Sequence, residues 1–270
     1  MKVAVTGKGG VGKTTVAALL ARAWRDAGYR VIAVDADPDA NLAGTLGYRG
    51  AEITPLVGLK ALLEERVGGG EGFGGFLKMN PNVDDIPAQF SVAVDGISVL
   101  VMGSIDRGRR GCACPEHVLL REVLHHLMLS AGEHVVVDME AGIEHLGRGT
   151  AEAVDEMLVV VEPGWASLQT ASRVAKLAGD LGIARVLAVA NKIRSDEDAA
   201  FVRKGLGRVP IVATLPYDGD LERRTRGGGF DRKGAGYTEM MRLAKTLAGR
   251  APGSGLQTPV GVETPGRSRG

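Results

Sequence analysis

The chain has 270 residues, of which 44% are hydrophobic and 4% aromatic, and its 33 basic side chains nearly balance its 32 acidic ones. This balance excludes a global charge as the basis for binding nucleic acid or anionic lipid. Met1 leads directly into an apolar strand pattern without a signal peptide, and no apolar run approaches the roughly 18 residues that span a bilayer. We therefore expect a cytoplasmic protein with an aliphatic core that binds neither nucleic acid nor membrane.

Strand and helix patterns alternate along the chain. Short, continuous apolar runs are typical of buried parallel strands, and apolar residues spaced three and four apart predict helices. The predicted strands are residues 3–5, 30–35, 97–102, 134–138, 157–161, 186–190 and 211–215, and the predicted helices are residues 16–24, 118–129, 168–181 and 237–247, with an amphipathic segment at 56–67. The alternation predicts an α/β fold with a doubly wound, mostly parallel sheet that is flanked by helices.

The alternating pattern ends with the last predicted helix. Residues 250–270 lack a periodic apolar face, which predicts a disordered C-terminal tail. We therefore expect a single domain over residues 1–249.

A glycine-rich loop separates the first strand from the first helix, where residues 7–15 read Gly-Lys-Gly-Gly-Val-Gly-Lys-Thr-Thr. Glycines let successive backbone N–H groups turn toward an anion, and the helix N-terminus adds its positive end. Lys13 is expected to reach the β- and γ-phosphates of a nucleotide, and the Thr14 hydroxyl to bind Mg²⁺. A tight turn is the alternative for a glycine-rich loop alone, but the complete spacing favours a phosphate-binding loop. Its predicted nucleotide-binding residues are Gly9, Gly10, Val11, Gly12, Lys13, Thr14 and Thr15.

Two further strands end in carboxylates. Asp35 and Asp37 lie at the end of the second predicted strand, and Asp138 ends the apolar run at 135–137. Carboxylates at the carboxyl ends of strands beside a phosphate loop are well placed to bind Mg²⁺ or to orient a water molecule. Asp138 matches the Walker B pattern and is expected to hold Mg²⁺ through water. The alternative for the first pair is an acidic turn that Pro38 ends.

Cys112 and Cys114 form a C-x-C pair in a predicted loop that is preceded by arginines and followed by Pro115. Nearby cations and a helix N-terminus lower the pKa of a thiol and favour the thiolate. Two thiolates do not complete a tetrahedral site, whereas two chains would supply four, enough for Zn²⁺, square-planar Ni²⁺ or an iron–sulfur cluster. Two spare cysteines or a redox pair are the alternatives.

These motifs together resemble a known family. With Lys8 near its start, the loop resembles the deviant Walker A loop of the ParA/MinD, ArsA and nitrogenase-iron-protein group of P-loop NTPases. The sequence Asp35-Ala-Asp-Pro, the stretch at 138–146 (Asp-Met-Glu-Ala-Gly-Ile-Glu-His-Leu) and the C-x-C pair resemble the CooC-type ATPases. Those proteins help to insert nickel into carbon monoxide dehydrogenase. The resemblance implies ATP and Mg²⁺ as cofactors, ATP hydrolysis, a homodimer and carbon monoxide dehydrogenase as client.

The resemblance also implies roles for individual residues. Lys8 would reach the phosphates of the partner chain, as an arginine finger does. Asp37 would orient the attacking water, and Gly142 would sense the γ-phosphate as the switch glycine. Catalysis is thereby assigned to Lys8, Lys13 and Asp37.

The remaining implied residues hold the base and the metal. Asn191 resembles the base-contacting asparagine of the group, and Lys192 and Pro216 would complete the adenine pocket. Ordinary turn chemistry at the ends of two strands is the alternative for these positions. Cys112 and Cys114 would bind Ni²⁺ or Zn²⁺ across the dimer, and the sequence does not decide between the metals.

Two other functions stay open at this point. A ParA/MinD-like positioning switch would need a basic face or an amphipathic membrane anchor, whereas residues 107–110 and 223–226 carry only small arginine clusters. An iron–sulfur carrier ATPase would use the same C-x-C pair. Three side chains of the predicted switch either take part in catalysis or metal transfer or merely line its surface: Glu140, Glu144 and His145.

Overall fold

The computed structural model describes residues 1–68, 77–103, 115–129, 132–140, 154–183, 185–219 and 234–250. Its strands are β1 (Lys2–Gly7), β2 (Val31–Ala36), β3 (Val92–Val94), β4 (Ile97–Val101), β5 (His134–Met139), β6 (Glu156–Val161), β7 (Val186–Ile193) and β8 (Ile211–Pro216). Its helices are α1 (Lys13–Asp26), α2 (Leu42–Leu46), α3 (Lys60–Arg66), α4 (Ile86–Phe90), α5 (Pro115–Leu129), α6 (Trp165–Asp180), α7 (Asp196–Leu206) and α8 (Ala235–Ala248), with a 3₁₀ turn at Leu56–Gly58.

The strands form one sheet in the order β3-β4-β2-β5-β1-β6-β7-β8. Neighbouring strands run parallel except for the edge hairpin of β3 and β4. Because β1 lies between β5 and β6, its carboxyl end opens onto the middle of the sheet edge. The predicted fold class, a doubly wound and mostly parallel α/β sheet, is confirmed.

Alternate residues of the central strands enter two different cores. Val136 of β5 packs with α1 and α8 on one face, where Trp24 is fully buried. Its neighbours Val135 and Val137 pack on the other face with α5 and α6. Burial on both faces explains why these strands read as continuous apolar runs rather than as alternating ones.

The edge hairpin was not predicted from the sequence because β3 has only three residues. Its turn places Asp95 at φ 50° and Gly96 at φ 75°. The Arg25 guanidinium donates to both carboxylate oxygens of Asp95, at 3.1 and 2.6 Å. The hairpin is therefore attached to the last turns of α1.

Arg250, two residues after the end of α8, forms an ion pair with a buried carboxylate. Arg250 Nη1 lies 3.0 Å from Oε1 of Glu156, a fully buried residue that also pairs with Arg185. The rest of the predicted tail, residues 251–270, lies outside the described residues, so its disorder stays a prediction. Within the described ranges, no helix has the length and apolar character that crossing a bilayer requires.

Candidate nucleotide-binding site

The phosphate loop joins the carboxyl end of β1 to the first turn of α1. Lys13 opens the helix and is buried, with only 8% of its surface exposed. Within this fully described helix, the first turn carries no acidic residue and Gly12 supplies no side-chain cap. The first N–H groups of α1 are thus left for an external anion, which the helix dipole also favours.

Gly12, like Gly7, is a residue of the loop whose replacement the surroundings restrict. Its φ of 96° lies in the left-handed region, and a Cβ at this position would lie 2.4 Å from Nδ2 of Asn191. A larger residue therefore meets both backbone strain and a steric clash. The loop can approach β7 this closely only with glycine at position 12.

Two consecutive side chains at the end of β7 hold the loop from outside. Asn191 Nδ2 donates to the Val11 carbonyl at 2.8 Å, and Lys192 Nζ donates to the Gly10 carbonyl at 2.6 Å. Both residues were predicted to contact the base. The structure adds contacts to the phosphate loop that the sequence did not indicate.

A cavity of about 620 Å³ adjoins the loop. Its wall includes the predicted residues Gly10, Gly12, Thr15, Asn191, Lys192 and Pro216, together with Glu162, Pro163, Arg194, Asp198, Tyr217 and Asp218. The Arg194 guanidinium lies 3.9 Å from the centre of the Tyr217 ring. This volume is within the range of pockets for small molecules and cofactors.

The contribution of Glu162, Arg194 and Asp198 to this cavity was not predicted from the sequence. Glu162 is the first polar residue after the apolar run of β6, just as Asp138 is the first polar residue after the run at 135–137. The same strand-end pattern could therefore have indicated Glu162. Arg194 and Asp198 belong to the start of α7, which was not predicted. The Arg194 N–H donates to Asp198 Oδ2 at 2.9 Å, and Ser195 caps the helix by accepting from the Asp198 N–H.

Asp138 lies at the end of β5 with no exposed surface. Neither of its carboxylate oxygens has a hydrogen-bond partner among the described residues. Burial raises its pKa to about 7, and the charges of Asp35 and Asp37 act in the same direction, whereas the Thr14 hydroxyl and the Lys13 ammonium oppose the rise. A buried carboxylate whose oxygens accept no well-formed hydrogen bond is typical of a site for a cation.

Asp35 is also fully buried, but its oxygens accept backbone hydrogen bonds. Oδ2 accepts from the Leu42 N–H at 2.8 Å, and Oδ1 from the Asp37 N–H at 3.3 Å. Burial raises the pKa of Asp35 to about 6 despite these bonds. Asp37 in turn accepts from the Asp39 N–H at 3.0 Å. Asp35 thus fixes the turn that carries Asp37.

The described ranges contain only some of the other predicted site residues. Lys8 is exposed at the start of the loop, and its carbonyl accepts from the Val11 N–H at 3.4 Å. The backbone carbonyl of Glu140 accepts from the Thr6 hydroxyl at 3.2 Å. Five predicted residues lie outside the described ranges: Cys112, Cys114, Gly142, Glu144 and His145.

The residues present fit MgATP. The open helix N-terminus and buried Lys13 suit phosphates, and the neighbouring cavity has room for a base and a sugar. Thr14 is close enough to Asp138 to lower the pKa of that carboxyl, so a hydroxyl and a buried carboxylate converge beside the loop.

Mg²⁺ prefers oxygen ligands and keeps several waters in its coordination shell, so one hydroxyl and one carboxylate are enough protein donors for it. Among the described residues, no three His, Cys, Asp or Glu side chains are grouped to hold a metal.

Comparisons with known proteins agree with this geometry. The model of the CobQ/CobB/MinD/ParA nucleotide binding domain matches residues 2–228. The carbon monoxide dehydrogenase accessory protein CooC of Rhodospirillum rubrum is 46% identical over 84% of this chain and 88% of its own length. An uncharacterized ATP-binding protein of Methanocaldococcus jannaschii is 44% identical over 82% of this chain and 87% of its own.

Among solved structures, the MinC:MinD cell division complex of Aquifex aeolicus contains a chain similar to this one. The TM-score is 0.67 at 22% identity, over 92% of this chain and 95% of that chain. At this identity the likeness shows the fold, which is that of a P-loop nucleotide-binding protein. The chain belongs to the CobQ/CobB/MinD/ParA nucleotide-binding family and, within it, to the CooC-type ATPases.

Proposed function

We propose that this protein binds and hydrolyses MgATP. The observation that carries the proposal is the Asp138 carboxylate, which is fully buried beside the phosphate loop and accepts no well-formed hydrogen bond among the described residues, although the Thr14 hydroxyl and the Lys13 ammonium are close enough to lower its pKa. A polar group is rarely left in this condition without a functional partner. A divalent cation would neutralise the carboxylate and supply charge stabilisation at the phosphates.

The loop residues have distinct tasks in this proposal. Lys13 binds the phosphates from inside the loop, and Thr14 supplies a hydroxyl to Mg²⁺. Asp37 orients the attacking water, for which Asp35 fixes the turn through its contact with the Asp37 N–H. Lys8, exposed on the loop, acts on the nucleotide of a second copy.

We further propose that hydrolysis serves the maturation of carbon monoxide dehydrogenase. The support is the 46% identity to a protein named as an accessory protein of that enzyme. Nickel is the cargo in this proposal, held by Cys112 and Cys114 of two chains. ATP occupancy favours the dimer, Gly142 couples the γ-phosphate to it, and hydrolysis removes the contacts that hold the dimer closed.

The test combines an ATPase assay with elemental analysis on purified protein. Wild type should hydrolyse ATP only with Mg²⁺, and Lys13→Ala and Asp138→Asn should each remove most of this activity. Asp37→Asn should lower kcat by about 100-fold while MgADP still binds. Unchanged hydrolysis in Lys13→Ala would contradict the ATPase proposal.

The metal proposal is tested separately with Cys112→Ala/Cys114→Ala. This variant should lose the nickel or zinc that wild type retains and keep its basal ATP hydrolysis. Retention of the full metal stoichiometry in the double variant would remove the cysteine pair from the proposal without affecting the nucleotide site.

A further inference from the structure

We infer that Lys192 and Glu162 are positioning residues for the phosphate loop, and that Lys192 acts on the phosphates through the loop rather than on the base. The inference deepens the proposed function, because it assigns how the same nucleotide site is kept in shape. It rests on two hydrogen bonds from the end of β7 to the loop and on one ion pair between Lys192 and Glu162.

The first contacts are those of the Lys192 ammonium. Nζ donates to the Gly10 carbonyl at 2.6 Å and to Glu162 Oε2 at 2.9 Å. The Lys192 side chain is 39% exposed and that of Glu162 is 29% exposed, so the pair lies at the cavity wall rather than in free solvent. Lys192 therefore connects the ends of β6 and β7 to the loop.

The backbone of Lys192 supports a specific role for its side chain. Its φ is 59°, in the left-handed region that residues with a Cβ rarely adopt. Strained backbone of this kind persists where surrounding contacts hold it. The neighbouring Asn191 side chain donates to Val11, so that two adjacent residues of β7 hold two adjacent carbonyls of the loop.

The planarity of the peptide bond connects these contacts to anion binding. In a trans peptide the carbonyl of one residue and the N–H of the next point in opposite directions. Holding the Gly10 and Val11 carbonyls toward β7 therefore turns the N–H groups of Val11 and Gly12 away from β7. Of these two, the Val11 N–H also donates to the Lys8 carbonyl at 3.4 Å within the loop. A loop whose amides are already oriented binds phosphate without a further ordering cost.

Glu162 acts through Lys192 in two ways. Its carboxylate fixes the ammonium opposite Gly10, and the ammonium compensates a negative charge at the edge of a cavity that is to receive polyphosphate. Removal of Lys192 alone would leave Glu162 uncompensated, whereas removal of Glu162 alone would leave Lys192 able to reach Gly10. The loss should therefore be larger for Lys192 than for Glu162.

The experiment measures the affinity of MgADP and of magnesium pyrophosphate, which has no base. Lys192→Met should weaken both ligands by a similar factor, about tenfold or more, the range for a lost hydrogen bond to a charged group. Glu162→Gln should weaken both less, and it should add little in the Lys192→Met background, because it acts through the same lysine. Lys204→Met, on the exposed surface of α7, is the matched control and should bind both ligands as wild type does.

A glycine variant distinguishes a loss of the side-chain contacts from a general loss of stability. Lys192→Gly relieves the left-handed φ, so it should unfold no more easily than wild type and yet lose affinity for pyrophosphate. Weaker MgADP with unchanged pyrophosphate binding would overturn the inference in favour of a base contact. Unchanged binding of both ligands by Lys192→Met would overturn it as well.

Hydrogen exchange distinguishes this inference from the proposed function. In the protein without nucleotide, Lys192→Met should raise the exchange rate of the Val11 amide, which donates to the Lys8 carbonyl, and Lys204→Met should not. If wild type binds neither ligand, the proposed function fails, while faster exchange would still support the loop contacts. Unchanged exchange in Lys192→Met would contradict those contacts whatever the ligand data.

Discussion

Asp35 and Asp138 lie directly opposite each other in the register of the parallel strands β2 and β5, and both are fully buried. Their environments differ in one respect. Asp35 accepts two backbone hydrogen bonds, whereas Asp138 has no partner for either oxygen among the described residues. The first carboxylate therefore stabilises a turn, and the second is available to a cation.

The first prediction concerns the pH dependence of stability without nucleotide. The pKa of Asp138 is about 7 in the folded protein, above the ordinary value of 3.8, so the folded state holds a proton that the unfolded state releases. The stabilising contribution of this carboxyl is complete below pH 4 and is lost as pH rises through 7. Asp138→Asn should therefore be more stable than wild type at pH 8, by on the order of 2–4 kcal/mol, and nearly equal to it at pH 4.

Urea unfolding of both proteins between pH 4 and 8 measures this difference. The pKa of His134 is lowered to about 4 by burial and opposes the trend in each protein, but it cancels in the comparison. Asp35→Asn is the comparison variant. Because the pKa of Asp35 is raised only to about 6, the pH-dependent part of its gap should be smaller, and the loss of one backbone acceptor should destabilise the turn at every pH. A stability gap between wild type and Asp138→Asn that does not vary with pH would rule out the titration of Asp138 as its cause.

The second prediction concerns Gly12. Gly12→Ala places a Cβ 2.4 Å from Asn191 Nδ2 at a φ of 96°, so it should destabilise the protein by about 2–3 kcal/mol and abolish MgADP binding. Gly9→Ala is the matched control for stability, since a Cβ there meets no atom within 4 Å. Thermal unfolding should separate the two variants, and equal melting temperatures would mean that the loop does not approach β7 as described.

The third prediction concerns the end of the domain. Glu156 is fully buried, and Arg250 is one of two arginines that pair with it. A chain that ends at Gly249 should be less stable than one that ends at Arg250 by about 1–3 kcal/mol, because a buried carboxylate loses a charged partner. Arg250→Ala in the full chain should reproduce the loss. Equal unfolding free energies for the two truncations would place the domain boundary at residue 249, as the sequence indicated.

Much of the fold could be predicted because it depends on local patterns. Continuous apolar runs identified the strands that are buried on both faces, and the glycine spacing identified the turn between β1 and α1. The helix α7 was missed because only Val202 and Leu206 of it are buried, which leaves a narrow apolar stripe. Its start, Ser195 followed by three acidic residues, was a readable capping signal.

The site was predictable in its residues but not in its contacts. Polar residues at strand ends indicate a shared edge, and this reasoning found Asp138, whereas Asn191 was predicted from the family resemblance. The sequence did not indicate that Asn191 and Lys192 would hold the carbonyls of Val11 and Gly10. Those contacts depend on how far β7 extends past β6 and on the left-handed turn at Lys192, neither of which a local pattern encodes.

We propose that nucleotide occupancy decides whether two copies associate around a shared metal. Light scattering on wild type, with and without a non-hydrolysable ATP analogue and Ni²⁺, tests it most directly. The account predicts that the dimer fraction rises with the analogue and rises further with Ni²⁺, and that Cys112→Ala/Cys114→Ala loses only the second increase. A dimer fraction that is the same under all four conditions would contradict it.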